Sequence, residues 1–589
     1  MHMDFFVYFY HKIIHQLKAY CLDNNISYID NYNKFVVETP KNKDFGDIST
    51  NIAMVLSKQF NLNPELFFNN ILPYLQKIED FKEITFAKPG FINIVIKETF
   101  WHNELKKILT LKENYAKKEQ NNIKVNIEFV SANPTGPLHI GNARGAVLGD
   151  ILANVYNFAG FDVFKEYYVN DAGNQINILA YSIYIKYLDL LSVNHKLDNS
   201  KGYPGEYIEE IAKEIIKQHD NKFVNKDEEE WLDTFKNVGI NYILKLIKTA
   251  LLQLGVEHNN FASEKAIATK DNYNNLIKEL EEKQLVYKGT LTPPKSKDGA
   301  IKSQLLDDYE NKEQLIFKST NFGDDMDRVL QKSNGDLTYF AGDAVYHKNK
   351  VDRGFNKLIV ILGADHIGYG VRISSFVKAI SNNSVEFNVL YTQMVNLMEN
   401  GVAFKMSKRA GNFILLNDAI DALGVDILRF IMITRKNDVA FDFDFKKITE
   451  NSMDNPLFYI NYAYARIHSV IDNFYKEFLD INLDNIHNYN FEPLVNKAEL
   501  DLIKTLAKMP NLIDGIIKSN DIHRIYLYLM EVAQLVHNMW NKGREDEEMR
   551  FIIKNNENLT IARVLLLKAT ADIIKNIMTL LKINIKTKM

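Results

Sequence analysis

Between Ser131 and Asn142 the chain reads Ser-Ala-Asn-Pro-Thr-Gly-Pro-Leu-His-Ile-Gly-Asn. An alternating apolar run, Val125, Ile127 and Phe129, precedes this segment, and Val147, Leu148, Ile151, Leu152 and Val155 follow it at helical spacing. A turn from strand to helix presents unpaired backbone N–H groups and the positive end of a helix dipole, which together suit an anion. A nucleotide phosphate is the expected occupant. Gly136 and Gly141 are spaced like the glycines of a Walker A loop, but Asn142 and Ala143 stand where Lys and Ser or Thr are required, so that reading fails.

His139-Ile-Gly-Asn142 resembles the His-x-Gly-His element that lies against ATP in class I aminoacyl-tRNA synthetases. Lys405-Met-Ser-Lys408, far downstream, resembles the second ATP element of that class. The resemblance implies ATP contacts from Pro137, His139, Gly141, Asn142, Met406, Ser407 and Lys408, with His139, Lys405 and Lys408 as catalytic residues. Two lysines beside a triphosphate would neutralise charge growing on departing pyrophosphate. Asn142 departs from the class pattern: an amide can bond a phosphate or ribose oxygen but carries no charge.

Further runs narrow the family. Glu128-Phe-Val-Ser-Ala-Asn-Pro-Thr-Gly-Pro137, Tyr168 to Gln175, Asn321 to Arg328 and Tyr339 to His347 are similar, in this order, to runs of arginyl-tRNA synthetases. Gly363 to His366, Val395 to Leu397, Lys405 to Phe413 and Asp426 to Arg429 continue the series. A guanidinium is a planar, permanently charged fork, and a site that prefers it to an ammonium needs carboxylates placed for paired hydrogen bonds. By position in the family's motifs, Glu128 and Asp343 are expected to hold that fork and Tyr339 to pack on or bond to it. Ser131 and Asn133 are expected on the α-amino and carboxylate groups, and Asp365, beside His366, is a further arginine-binding expectation. An Asp-His pair after an apolar strand has a plainer reading as a helix cap.

The implied activity is that of an arginine–tRNA ligase. Arginine's carboxylate attacks the α-phosphate of ATP in line, giving arginyl-adenylate and pyrophosphate. A hydroxyl of the terminal adenosine of the tRNA, the 2′-OH by class, then takes the arginyl group. The resemblance also implies that tRNA is bound before arginine is activated, and that Mg²⁺ is held mainly by ATP phosphates. For the tRNA, it implies anticodon contacts from the C-terminal region and elbow contacts from the N-terminal one. Tyr462, Trp540 and the terminal Met589 lie in segments whose aromatics and cations could meet unstacked bases, although aromatics at helical spacing also build cores. Two alternatives stay open. A cysteinyl or glutamyl relative would share both ATP motifs but should lack the Glu128 and Asp343 pair, and the cysteinyl enzyme would also want zinc-binding cysteines. A catalytically silent tRNA-binding protein would have no structural need for His139, Lys405 and Lys408.

These residues need elements to place them. At 589 residues and 46% apolar composition, the chain is long enough for several cores. The pattern around Val125, with strand-like runs at Leu358 to Leu362 and Val389 to Gln393, predicts an α/β fold with a doubly wound, parallel, Rossmann-like catalytic domain over 122–443. A long insertion is expected at about 185–310, with Asp220 to Glu230 as a solvated surface. Residues 1–115 read as an N-terminal α+β domain, set off by the charged stretch Lys112 to Lys124. Residues 444–589 read as an all-α helical bundle whose last helix carries the stripe Leu566, Ala569, Ile573, Ile577 and Leu580.

One cysteine, Cys21, rules out an internal disulfide and a thiolate-rich zinc site. His11 and His15 have helical metal-ligand spacing but no third ligand near them, so no protein-bound metal is expected. The net charge of −4 is silent on nucleic acid, since local basic stripes matter rather than the total. No apolar run has the length of a membrane span, and a cytoplasmic monomer is the expectation.

Overall fold

The run around Val125 becomes the middle strand, β1 (Lys124–Glu128), of a five-stranded sheet. On one side lie β2 (Asp162–Val169) and β3 (Asn260–Ser263), and on the other β4 (Lys357–Gly363) and β5 (Glu386–Thr392). Every pairing is parallel, in the spatial order β3-β2-β1-β4-β5. The order reverses between β1 and β4, and an open parallel sheet binds its ligands in the crevice at the carboxyl ends of two such strands. This is the Rossmann-like architecture that the sequence predicts.

The structure is a computed structural model. It describes residues 4–28, 33–198, 200, 202–291, 310, 312–366, 368–393, 395–399, 402–403, 414–444, 448–450 and 452–588. The chain divides into two compact units, one of residues 120–450 with 581–583, the other of residues 1–119 with 451–580 and 584–589.

In the first unit, α1 (Ile140–Phe158) leaves the turn after β1 and is buried on most of its surface. Close packing needs a glycine at 149, where a Cβ would fall 2.2 Å from the ring of Phe129. Asp150, on the same helix, is fully buried and takes hydrogen bonds from Arg429 at 2.8 Å and Lys165 at 3.2 Å. An uncompensated carboxylate there would be costly, so the pair ties α1 to the helix that carries Arg429.

After β2 come α2 (Asn174–Leu190), α3 (Glu206–His219) and α4 (Glu228–Gln253). Asp220 to Glu230 is solvated except for the buried Phe223, which packs against Tyr187 and Phe235. The sequence reading places 185–310 in a single insertion, yet β3 lies inside that range and is the edge strand of the parallel sheet. Asn260-Phe-Ala-Ser263 has no β-branched residue, and only its pairing with Glu166 to Val169 makes it a strand. The short helix α5 (Glu264–Ile267) and then α6 (Lys270–Glu282) follow. A small antiparallel sheet of 286–289, 314–317 and 328–331 comes next. Over β4 pack α7 (Tyr339–Asp352) and α8 (Tyr369–Ile380), sharing a core of Phe340, Ala344, Leu358, Ile373, Phe376 and Val377.

A second small sheet holds β6 (Val395–Glu399), β7 (Val402–Ala403) and β8 (Phe441–Asp444), with α9 (Leu416–Leu423) and α10 (Val425–Ile431) between the last two strands.

In the second unit, the helix Phe5–Asp23 is N-capped by Asp4, and strands 37–38, 48–50, 91–96 and 81–87 form an antiparallel sheet in that spatial order. The helices α11 (Pro456–Glu477), α12 (Lys497–Leu506), α13 (Met509–Ser519), α14 (His523–Glu545) and α15 (Glu557–Leu581) complete it. The predicted stripe on α15 is buried throughout, and Arg563 on the same helix donates to Glu499 at 2.7 Å. No described helix is long and apolar enough to cross a membrane.

Candidate active site

At the carboxyl end of β1, Val130 and Ser131 both adopt left-handed backbone angles, φ 72° and 42°. A β-branched residue there is strained, and such strain persists only where the surroundings hold it. Here they do. The Tyr168 amide donates to Ser131 Oγ at 3.1 Å, Ser131 Oγ donates to Glu128 at 3.1 Å, and the Tyr167 hydroxyl donates to Ala132 O at 2.7 Å. Asn133 is exposed and donates to Gln175 at 2.8 Å.

The turn ends in a capping box. His139 Nδ1 accepts from the Gly141 amide at 3.1 Å, and Asn142 Oδ1 accepts from the His139 amide at 3.0 Å. Burial lowers the imidazole's affinity for protons, and an accepting Nδ1 puts the proton of the neutral ring on Nε2. Gly141 must be small, because a Cβ would lie 2.8 Å from that imidazole. Asn142 thus serves the cap through its oxygen, which leaves its amide nitrogen as the donor to offer.

Pro137, His139 and Asn142 line a cavity of about 580 Å³, with Asn133, Thr135 and Gly136 on the same wall. The segment is also bound to the chain that follows the second motif. The Ile140 amide donates to Ile414 O and the Leu416 amide to Leu138 O, both at 2.9 Å. Arg144, one turn into α1, is buried and donates to the carbonyls of Gln393, Lys436 and Val439 at 3.1, 2.5 and 2.8 Å. Lys405, Met406, Ser407 and Lys408 themselves lie outside the described residues.

The expected carboxylates converge near the ends of β1 and α7, with a redistribution of roles. Glu128 is buried and already engaged: Lys350, itself fully buried, donates to Glu128 Oε2, and the Tyr346 hydroxyl donates to the same oxygen at 2.9 Å. The same hydroxyl lies 2.8 Å from Glu166, so its one proton is shared between the two carboxylates, and Arg353 binds Glu166 with both ends of its fork at 2.6 and 2.8 Å. Against the upward push of burial, Arg353 and Lys350 hold Glu166 down at about 2. The group Glu128, Glu166, Lys350 and Arg353 is therefore neutral. Glu128, expected to hold a guanidinium, thus already accepts from Lys350 and Tyr346 on Oε2 and from Ser131 on Oε1.

Two further carboxyls face the same site: Asp343, and Glu264, which the sequence reading missed. Burial pushes the Asp343 carboxyl up to about 7, with Glu264 and Glu128 adding to the shift while Arg372 and a hydrogen bond from Tyr369 oppose it. Burial also raises Glu264, a Tyr168 hydrogen bond opposing and Asp171 adding. Buried carboxyls with raised pKa values form a site that gains from a cation. No motif marks Glu264 in the sequence, and the strand that precedes it carries no local signal either.

Tyr339 points to solvent in this structure. It stands at the start of α7, on the helical side of Asp343, but is 88% exposed and packs on nothing in the pocket. Ala364 to His366 form one turn at the end of β4, and the N-cap residue of α8 is Gly368. The Asp365 side chain lies outside the described residues. Among the described residues, no cluster of three or more His, Cys, Asp or Glu is placed to hold a metal.

On α11 and α14 of the other unit, Arg466 lies between Tyr462 and Trp540, 4.1 and 4.8 Å from their ring centres. Its guanidinium donates to the Tyr462 hydroxyl at 2.9 Å and meets His537 Nδ1 at 3.1 Å. Tyr462 and Trp540 are half-buried, and Met589 lies outside the described residues.

A Rossmann-like sheet whose switch point carries a His-Ile-Gly-Asn helix start, bound back to the exit of a Lys-Met-Ser-Lys segment, defines a class I aminoacyl-tRNA synthetase. Residues 104–453 match the family described as tRNA synthetases class I (R), catalytic domain. Residues 11–96 match the arginyl tRNA synthetase N terminal domain, and residues 460–589 the DALR anticodon binding domain. The arginine–tRNA ligase of Ehrlichia ruminantium (strain Welgevonden) is 42% identical over 557 residues, 94% of each chain. That of the Wolbachia of Brugia malayi is 42% identical over 548 residues, covering 93% of this chain and 94% of its own. The arginyl-tRNA synthetase structure of Thermus thermophilus superposes with a TM-score of 0.73 at 16% identity, over 99% of this chain and all of that one. The chain belongs to the arginyl-tRNA synthetase family.

Proposed function

We propose that this chain is an ATP-dependent arginine–tRNA ligase whose substrate selectivity rests on Asp343 and Glu264, with Glu128 Oε1, which accepts from Ser131, as a further acceptor. The observation that carries this reading is the pair of half-buried carboxyls, Asp343 and Glu264, each raised above its ordinary range, beside the strand end that leads to His139. A guanidinium placed between them supplies the missing positive charge. Ser131 and Asn133 are then near enough along the turn to serve the α-amino and carboxylate groups, and Asp365 belongs to the same proposal. Tyr339 would have to turn inward by a side-chain rotation to join them.

ATP would lie along Pro137, Gly141 and Asn142, with the His139 Nε2–H as a neutral donor to phosphate oxygen and Met406, Ser407 and Lys408 on its other side. Arginine's carboxylate oxygen bonds to the α-phosphorus as the bond to the pyrophosphate oxygen breaks. Lys405 and Lys408 would take up the charge that leaves. The 2′-OH of the terminal adenosine then attacks the carbonyl carbon, AMP departs, and arginine is esterified to the tRNA. The described ATP-side residues His139 and Asn142 offer N–H donors rather than a carboxylate cage, so Mg²⁺ would arrive on the triphosphate. Residues 122–443 would hold this chemistry, 444–589 would grip the anticodon through Tyr462, Trp540 and Met589, and 1–115 would touch the tRNA elbow. A monomer working in the cytoplasm, where translation supplies the tRNA, completes the reading.

The deciding assay is tRNA charging with purified protein, ATP, Mg²⁺ and total tRNA, each of the twenty amino acids being offered separately. Attachment of arginine alone is expected. Attachment of another amino acid would overturn the reading of Asp343 and Glu264, and no attachment by folded protein that binds tRNA would favour a silent tRNA-binding protein.

A further inference from the structure

The turn that leads to His139 is held from two directions. From the sheet side, Tyr167 and Gln175 take Ala132 O and the Asn133 amide. From the other side comes Tyr207, in the first turn of α3, whose hydroxyl donates to Thr135 O at 2.9 Å. Its ring is seated between two glycines. A Cβ on Gly136 would lie 3.2 Å from the Tyr207 hydroxyl, and a Cβ on Gly205 would lie 2.5 Å from the ring edge. Gly205 adopts φ +134°, which an L side chain rarely takes, so the backbone there is shaped to let the ring lie back.

The loop carrying this tyrosine is itself anchored, since the Tyr203 amide donates to Ser182 Oγ on α2 at 2.9 Å. Tyr203, Gly205 and Tyr207 line the same cavity of about 580 Å³ as Gly136, His139 and Asn142. Burial pushes the Tyr207 hydroxyl up to about 12, so it remains a hydrogen-bond donor through the neutral range. None of these contacts is needed to bury the apolar face of α3, which Ile208, Ile211, Ala212 and Ile215 supply.

We propose that Tyr207 is a positioning residue for ATP: by holding Thr135 O and seating Gly136, it sets the turn that delivers His139 and Asn142 to the nucleotide. This inference rests on the reading of His139 and Asn142 as ATP-binding residues. It makes a segment outside the strand-and-turn core a determinant of ATP use, while arginine recognition at Asp343 and Glu264 is left alone.

The test is ATP–pyrophosphate exchange by the full-length enzyme with tRNA present, comparing Tyr207→Phe, Gly136→Ala, the double variant and His139→Ala. Tyr207→Phe keeps the ring and removes only the hydroxyl, so the thermal midpoint is expected to fall by no more than about 4 °C. The loss of this part-buried hydrogen bond should lower kcat/KM for ATP by about three- to ten-fold, with KM for arginine unchanged. Gly136→Ala brings a methyl group to 3.2 Å from the hydroxyl and, by pressing it away from Thr135 O, weakens the same hydrogen bond, so the double variant should be little worse than Tyr207→Phe alone. Equal losses for ATP and arginine, ATP kinetics within two-fold of the parent, or penalties that simply multiply would each overturn the inference. Normal ATP kinetics in His139→Ala would instead sink the ATP assignment on which it stands. If His139→Ala is crippled and Tyr207→Phe is not, the role of Tyr207 alone is lost.

Discussion

Because burial and the neighbouring Glu264 and Glu128 push the Asp343 carboxyl up to about 7 in the unliganded enzyme, arginine binding should carry a pH dependence that can be worked out beforehand. Arg372 and Tyr369 face the same carboxyl and are already counted in that balance, and Glu264, also raised, acts in the same direction. The sign follows from the charges. Arginine's guanidinium stays cationic throughout, so it binds the ionised carboxylate and competes with a proton. A carboxyl of pKa near 7 is ionised in about one molecule in eleven at pH 6 and about ten in eleven at pH 8, so arginine affinity should rise about ten-fold between them. The assay is arginine affinity, by calorimetry with tRNA present, across pH 6 to 8. Asp343→Asn should weaken binding by about 10- to 100-fold, as expected for a lost hydrogen bond between charged groups, and should flatten the profile. A flat profile in the parent enzyme would refute the raised pKa. A full ten-fold rise surviving in Asp343→Asn would place the titrating group elsewhere.

Lys350→Met leaves Glu128 buried without its cation and should destabilise the catalytic unit by about 3–5 kcal/mol in urea unfolding, with Lys350→Met/Glu128→Gln recovering most of that. An unchanged unfolding midpoint would contradict the buried pair. Gly149→Ala forces a methyl group to 2.2 Å from the Phe129 ring and should lower the thermal midpoint, at about 1–3 kcal/mol or more of overpacking. Lys408→Ala should lower kcat by about 3 kcal/mol of transition-state stabilisation and leave tRNA affinity unchanged. A large loss of tRNA affinity with normal chemistry would reassign that lysine. Trp540→Ala removes a ring from the Arg466 cluster and should weaken tRNA binding, in a filter assay, by about 1–3 kcal/mol if that ring stacks on a base. Unaltered binding would mark the cluster as helix packing.

Much of this architecture is written in local patterns. The β1-turn-α1 unit was legible because alternation at 125–129, the Pro134 to Pro137 break and the helical recurrence after Val147 are neighbours along the chain, and β4, β5 and α15 carry equally local signals. The motif residues His139 and Asn142 were legible through their resemblance to the class I His-x-Gly-His element, and the structure adds that they close a capping box. What sequence alone determined was therefore the element types, the parallel α/β class, and, through resemblance, the chemistry of the site.

Tertiary structure decided which charges remain to act. Glu128 and Asp343 look equivalent as two carboxylates in family motifs, but Lys350 lies 222 positions from Glu128 and neutralises it, a pairing no periodicity encodes. Glu264 joins Asp343 only because β3 takes the edge place beside β2, and Asn260 to Ser263 are a strand only in that company. Tyr339 shares a helix side with Asp343 and still stands in solvent, while Tyr207 reaches Thr135 across 72 positions. The physical reason is common to all of them: secondary structure answers to neighbours within a turn or two, whereas the charge, burial and aim of a side chain are set by whatever the fold brings beside it.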